Sequence, residues 1–160
     1  MEIRNVFTEK VPDGRLIGKR YVGMGNFAPK WGEFFQNGWF DALEAAGGRN
    51  EFDYVGMMRT VGGTYEYWIG MMFNPGADAP EGFDYADVDG FEAAVFWIYG
   101  DEKSGELYSQ CGTCMRVMKE RGWQWDDEGW HIERYNCPRF TTPDEQGNVI
   151  LDYYIQMKAS

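Results

Sequence analysis

The sequence predicts an α+β fold in which two βαββ repeats join into one antiparallel sheet, with two helices on one face and a ligand cleft on the other. Three observations carry this expectation. Aromatic-rich extended runs are bounded by Gly and Pro, two apolar stripes recur at three and four residues, and the same order of elements appears twice. The first strand is expected over Arg15 to Val22. Pro29 then suits the first turn of a helix whose apolar positions are Trp31, Phe34, Phe35, Trp39, Ala42, Leu43 and Ala46, stopped by Gly47 and Gly48. Two strands follow, Asp53 to Val61 and Thr64 to Phe73, and Gly62-Gly63 between them suits a two-residue hairpin turn.

A segment with Pro75, Gly76, Pro80, Gly82 and several acids separates the halves. Phe91 to Tyr99 reads as a strand closed by Gly100. Leu107, Cys111, Met115 and Met118 mark a helix that begins near Gly105 and runs into Gly122, and strands are expected over Trp130 to Cys137 and Val149 to Lys158. Matching elements keep a near-constant offset: first strands start at 15 and 91, helices at about 29 and 105, third elements near 53 and 130. A single domain over 1–160 is therefore expected, with repeat one at about 1–75 and repeat two at about 83–160.

Composition narrows the partners. A formal charge of −11 over 160 residues repels nucleic acid and anionic lipid and adds a weak long-range attraction for cations. No apolar run reaches the ~18 to 20 residues of a membrane-spanning helix, and the amino end lacks a signal-peptide pattern. A soluble, cytoplasmic protein is expected, with its three cysteines as thiols. No cofactor and no metal are expected.

Alternation makes both faces of the strands apolar. In Phe91 to Tyr99, Ala94, Phe96 and Ile98 oppose Val95, Trp97 and Tyr99; in Thr64 to Phe73, Tyr65, Tyr67, Ile69 and Met71 oppose Glu66, Trp68, Gly70 and Met72. One set must cover helices. The surplus of Trp97, Tyr99, Trp68, Tyr65, Tyr67, Met57, Met58, Met71 and Met72 suits either a large core or the wall of a site for a flat ligand, and alternation does not say which residues do which.

The strongest chemical signal is Trp130-His131-Ile132-Glu133-Arg134-Tyr135, where alternation sends His131, Glu133 and Tyr135 to one face. A carboxylate beside a phenol on an aromatic wall can anchor a cation, accept a hydrogen bond or, once desolvated, act as a general base; an exposed surface pair is the plain alternative. Cys111-Gly112-Thr113-Cys114, with His131 and Cys137, offers four zinc-ligand types, but their spacing fits no structural zinc module. A redox use of this CxxC requires the start of a helix, and the stripe starts earlier, so buried thiols on a helix are expected. Gly23-Met24-Gly25-Asn26-Phe27-Ala28 matches GxGxxA, but the hairpin that follows is not a parallel βαβ unit and no acid stands at the ribose position. His131 lacks a nucleophile in a recognisable elbow.

Ala94-Val95-Phe96-Trp97-Ile98-Tyr99-Gly100, the Glu-x-Tyr strand at Trp130 to Tyr135 and the Tyr-x-x-Gly strand from Tyr67 to Met72 resemble, in order and spacing, the GyrI-like small-molecule-binding domains, which also form the effector-binding half of multidrug-responsive transcription regulators. The resemblance covers most of the chain. It implies the duplicated, SOUL-like fold and a central cleft for lipophilic, often cationic aromatic compounds, with Glu133 as the acid of the cleft and Tyr135 as its partner. It also implies two other readings: a hydrolase that opens cyclopropane-bearing alkylating compounds through Glu133 and Tyr135, and an inhibitor that acts on gyrase. The chain departs from the family where a Pro usually follows the Ile of the last strand, here Gln156 after Ile155. With no basic recognition helix and no spare length, a stand-alone binding module for an aromatic small molecule is expected, its ligand contacted by Glu133, Tyr135, Trp97, Tyr99, Trp68, Tyr65, Tyr67, Met57, Met71 and His131.

Overall fold

The computed structural model describes residues 1–135 and 137–159, and of Asp53 only the backbone. The strands are β1 (Glu2–Val11), β2 (Gly14–Val22), β3 (Arg49–Val61), β4 (Thr64–Phe73), β5 (Asp84–Val88), β6 (Phe91–Asp101), β7 (His131–Arg134) and β8 (Asn148–Gln156). The helices are α1 (Ala28–Gln36), α2 (Trp39–Ala46), α3 (Cys111–Glu120) and the short α4 (Pro138–Thr141), and two 3-10 turns at Glu102–Ser104 and Glu106–Ser109 lead into α3. All eight strands form one antiparallel sheet in the order β1-β6-β8-β7-β3-β4-β2-β5. The expected α+β, duplicated architecture is present: β2-αα-β3-β4 and β6-α3-β7-β8 are mirrored about the central β3/β7 pair.

Two strands were not foreseen. β1 and β5 are edge strands, and each pairs across the symmetry, β1 on β6 and β5 on β2. β1 alternates too irregularly to read as a strand, with a register shift between Ile3 and Asn5, and β5 is short and acidic. β1 and β2 occupy distant places in the order although only Pro12 and Asp13 separate them, so the sheet must curl. Its inner face closes over a core shared by both edges: Val11 of β1 and Val88 of β5 join Met57, Trp68, Val95, Ile132 and Tyr154 in one buried cluster.

The outer face carries the helices. α1 and α2 cover Ile17, Tyr67, Ile69, Met71 and Phe73 through Phe34, Phe40 and Leu43, while α3 covers Ala94, Phe96, Ile98, Leu151 and Ile155 through Cys114 and Met118. The first helix is expected as one piece but breaks at Gly38, whose φ of 67° lets the chain turn and start α2. The second begins at Cys111 rather than near Gly105, because the residues before it form 3-10 turns. The hairpin turn at Gly62-Gly63 has φ of 58° and 80°, the left-handed pair that glycine favours. The strand expected over Trp130 to Cys137 is confined to β7, and Asn136 within it lies outside the described residues. Among the described residues no helix is long and apolar enough to cross a membrane.

Candidate functional site

Between the two helical coverings, over the central β3/β7 pair, the outer face is left open as a cavity of about 700 Å³. The cleft therefore lies on the helical face, between the helices, and not on the opposite face as expected. Opposite the central pair, the curl of the sheet packs Met57, Ile132 and Tyr154 into the inner core instead. Both faces are apolar for different reasons, and alternation alone could not assign them.

β7 brings Glu133 to the floor of this cavity, opposite Gly56 of β3 in the strand register. A side chain at Gly56 would collide, since a Cβ there would stand 2.6 Å from the Tyr67 hydroxyl and 2.7 Å from Glu133 Oε1. The glycine makes room for the hydrogen bond that the Tyr67 hydroxyl donates to Glu133 Oε1 at 2.7 Å. Tyr67 in turn accepts from Trp31 Nε1 at 3.0 Å. An indole N–H can only donate, so the Tyr67 proton is committed to Glu133. The relay from α1 through β4 to β7 thus fixes the orientation of the acid.

Glu133 is 7% exposed, and among the described residues it has no ion-pair partner. The other buried acids among the described residues are paired: Glu66 with Arg20 and Arg59, and Asp152 with Arg139 at 2.5 Å. Burial raises the Glu133 pKa to about 7, against the opposing pull of hydrogen bonds from Tyr67 and Tyr135. Those phenols stay protonated, because burial and the adjacent acid hold both well above the usual tyrosine range.

Aromatic side chains form the walls. Phe27 stacks on Tyr67 with ring centres 4.2 Å apart and planes 6° from parallel. Trp31 meets Tyr135 edge to face at 4.8 Å, and Tyr135 meets Phe140 of α4 at 4.9 Å. Tyr54, Met58, Tyr65, Tyr108 and Phe35 complete the lining, and Glu102 adds a second acid. Met24 and Phe35, exposed by 81% and 58%, form an apolar part of the lining that is open to solvent. No lysine or arginine occurs among the described lining residues.

Of the residues expected at the site, Glu133, Tyr135, Tyr65 and Tyr67 line the cavity. The others lie elsewhere. Met57 and Trp68 are buried in the inner core with Trp97 packed against it, and Trp97 also meets Phe7 edge to face and lies under Arg139. Tyr99, on the same strand face as Trp97, donates to Asp144 at 2.5 Å with Arg4 over its ring. Met71 is sealed among Phe34, Phe40 and Leu43. His131 shares the face of Glu133 but is enclosed by the second helical covering, its Nδ1 2.8 Å from the Tyr153 hydroxyl and 3.7 Å from Cys111 Sγ. Burial lowers its pKa to about 4, so it is neutral at neutral pH. Sequence reasoning missed Phe27, Trp31, Tyr108 and Phe140, which reach the cavity from helices and the turns beside them, Tyr54, which reaches it from β3, and Gly56, whose signal was a glycine inside that strand. Among the described residues no cluster of three His, Cys, Asp or Glu side chains could hold a metal ion.

With this geometry the chain aligns over 99% of its length, at a TM-score of 0.76 and 14% identity, with 95% of SAV2435 in a structure bound to tetraphenylphosphonium. It aligns over its full length with the whole EcmrR C-terminal domain at a TM-score of 0.64 and 8% identity. The chain has the fold of these proteins. The fold implied by the resemblance to GyrI-like domains is thus the fold found. A hydrolase from Listeria innocua shares it at a TM-score of 0.56 and 12% identity, over 97% of this chain and 92% of that one. No protein-family model and no curated protein matches the chain at the level of sequence.

Proposed function

We propose that this protein binds a lipophilic aromatic cation in the cavity between its helices, with Glu133 as the counter-ion. The observation that carries the reading is a buried carboxyl group set in an aromatic cavity, with neither an ion-pair partner nor a basic lining residue among the described residues. A charge left unpaired in such a place is unfavourable, and a cation that fills the space supplies the missing partner while gaining from the faces of Phe27, Tyr67, Trp31 and Tyr135. The cavity volume falls within the range of small-molecule sites, about 300 to 1,000 Å³. A fold shared with SAV2435, whose structure holds tetraphenylphosphonium, supports the same class of ligand.

The test uses two ions of matched shape and opposite charge. Tetraphenylphosphonium should quench the fluorescence of Trp31 at the cavity wall and titrate to saturation, while tetraphenylborate should bind at least about tenfold more weakly, a difference of about 1.4 kcal/mol. Equal affinity for both ions would reduce the site to a greasy slot and remove Glu133 from the account.

A second reading is favoured by the pKa of Glu133. A carboxyl group that titrates at about 7 is matched to general-base work on water, and Tyr135 beside it remains a neutral donor able to stabilise a developing negative charge. In this reading the protein is a hydrolase acting on a reactive aromatic compound, such as a cyclopropane-bearing alkylator. Multiple turnovers to ring-opened product, seen by mass spectrometry and lost in Glu133→Gln, would establish it; protection limited to one equivalent would leave binding alone.

A further inference from the structure

We propose that Cys111 and Cys114 form a dithiol–disulfide redox couple that exchanges with low-molecular-weight disulfides. The CxxC lies in the first turn of α3, which starts at Cys111 itself. The first intrahelical bond there runs from Cys114 N to Gln110 O at 2.9 Å, so the amides of Cys111, Gly112 and Thr113 have no acceptor within the helix, and Gln110 supplies no side-chain cap. Residues three apart share a helix face, and both sulfurs belong to the face that packs on β6 and β8. Helix geometry sets their Cα atoms about 5 Å apart, inside the span of roughly 4.4 to 6.8 Å that a disulfide bridges.

The two thiols are not equivalent. Cys111 is partly exposed, and its sulfur has polar company from another element, His131 Nδ1 of β7 at 3.7 Å, as well as Met115 Sδ at 3.6 Å. Cys114 is fully buried, and burial first, with neighbouring Cys111 adding to it, pushes its thiol up to about 12. This is the division of labour of an attacking and a resolving cysteine. Cys111 loses its proton to solvent, and its thiolate attacks one sulfur of the small disulfide, forming a mixed disulfide and releasing one thiolate. Cys114 then attacks Cys111 Sγ, giving up its proton as the second small thiol leaves. The small disulfide is reduced to two thiols, and the protein gains one sulfur–sulfur bond.

The test equilibrates the full chain with glutathione mixtures of rising oxidised fraction, followed by alkylation and tryptic mass spectrometry. Peptide Ser104–Arg116 contains both cysteines, and Cys137 falls in a separate peptide, Tyr135–Arg139. The expected result is loss of two hydrogens within Ser104–Arg116, reversed by dithiothreitol and unchanged in Cys137→Ser. Cys114→Ser should instead accumulate a glutathione adduct on Cys111. In the folded parent, Cys111 should react with an aromatic disulfide reagent at least about tenfold faster than Cys137, a contrast that urea abolishes. A parent that keeps both thiols, or a stable glutathione adduct at Cys111 beside a free Cys114, or a bond to Cys137, overturns the proposal.

Discussion

Lowering the pH from 8 to 5 should weaken tetraphenylphosphonium binding by about 100-fold in the parent protein and hardly at all in Glu133→Gln. The reasoning starts from burial, which raises Glu133 from its ordinary value near 4.5 to about 7 in the empty cavity. Each unit corresponds to about 1.4 kcal/mol, so ionising this acid without a cation carries a penalty on the order of 3 kcal/mol. A cation pairs with the ionised form, which makes up about 90% of the protein at pH 8 and about 1% at pH 5 when the midpoint is 7. Affinity then follows that fraction, and close to neutral pH binding must release a proton. Isothermal titration in two buffers of different ionisation enthalpy measures both the affinity and the proton. An affinity independent of pH, or a Glu133→Gln profile that falls in parallel with the parent's, would refute the argument, since protonation of other acids such as Glu102 would then govern the effect.

The same acid and its neighbour predict opposed effects on stability. Folded Glu133 binds protons more tightly than the unfolded chain does, so its contribution declines as pH rises from about 4.5 through 7; folded His131, with its pKa lowered to about 4, binds them less tightly, so its contribution grows from about 4 to 6.5. The two nearly cancel in the parent. Measured by urea unfolding, Glu133→Gln should gain about 3 kcal/mol on the parent between pH 4.5 and 7.5, and a constant difference across that range would contradict the assignment. Tyr67→Phe removes the donor to Glu133 and leaves Trp31 Nε1 without its acceptor; it should move the midpoint of cation binding to higher pH and lower stability by about 1 to 3 kcal/mol, and an unmoved midpoint argues against the relay. Gly56→Ala should weaken cation binding at pH 8 by at least about tenfold, because its Cβ would occupy the space of the Tyr67–Glu133 hydrogen bond, and unchanged binding would mean that strand β3 yields easily. Trp97→Phe, on the inner face, should leave cation affinity unchanged while Trp31→Phe lowers it; the reverse would return the cleft to the other face of the sheet.

How far the sequence reached depended on which physical signal each residue carried. The strand from Thr64 to Phe73 and the Gly62-Gly63 turn before it were legible because strand period and turn chemistry are local, and the predicted bounds of that strand are those of β4. Glu133 and Tyr135 were legible as a pair because alternation fixes their common direction. The failures at the site share one cause: the second covering of a face is a tertiary fact. Trp68, Met57 and Trp97 matched the composition of a ligand wall as well as Tyr65 and Tyr67 did, and only the curl of the sheet, forced by the short link from β1 to β2, sent the first three inward. Phe27, Trp31, Tyr108 and Phe140 line the cavity around Glu133 from segments scattered between residues 27 and 140, with no periodicity to connect them. The start of α3 was misplaced because a 3-10 turn carrying Leu107 extends the apolar stripe without being part of the helix, and that error hid the CxxC at a helix terminus.

The most direct measurement is the titration of the Glu133 side-chain carboxyl carbon by NMR, in the empty protein and in protein saturated with tetraphenylphosphonium. The account predicts a midpoint near 7 without the ligand and a clear displacement to lower pH with it. A midpoint near the ordinary glutamate value that the cation leaves in place would contradict it.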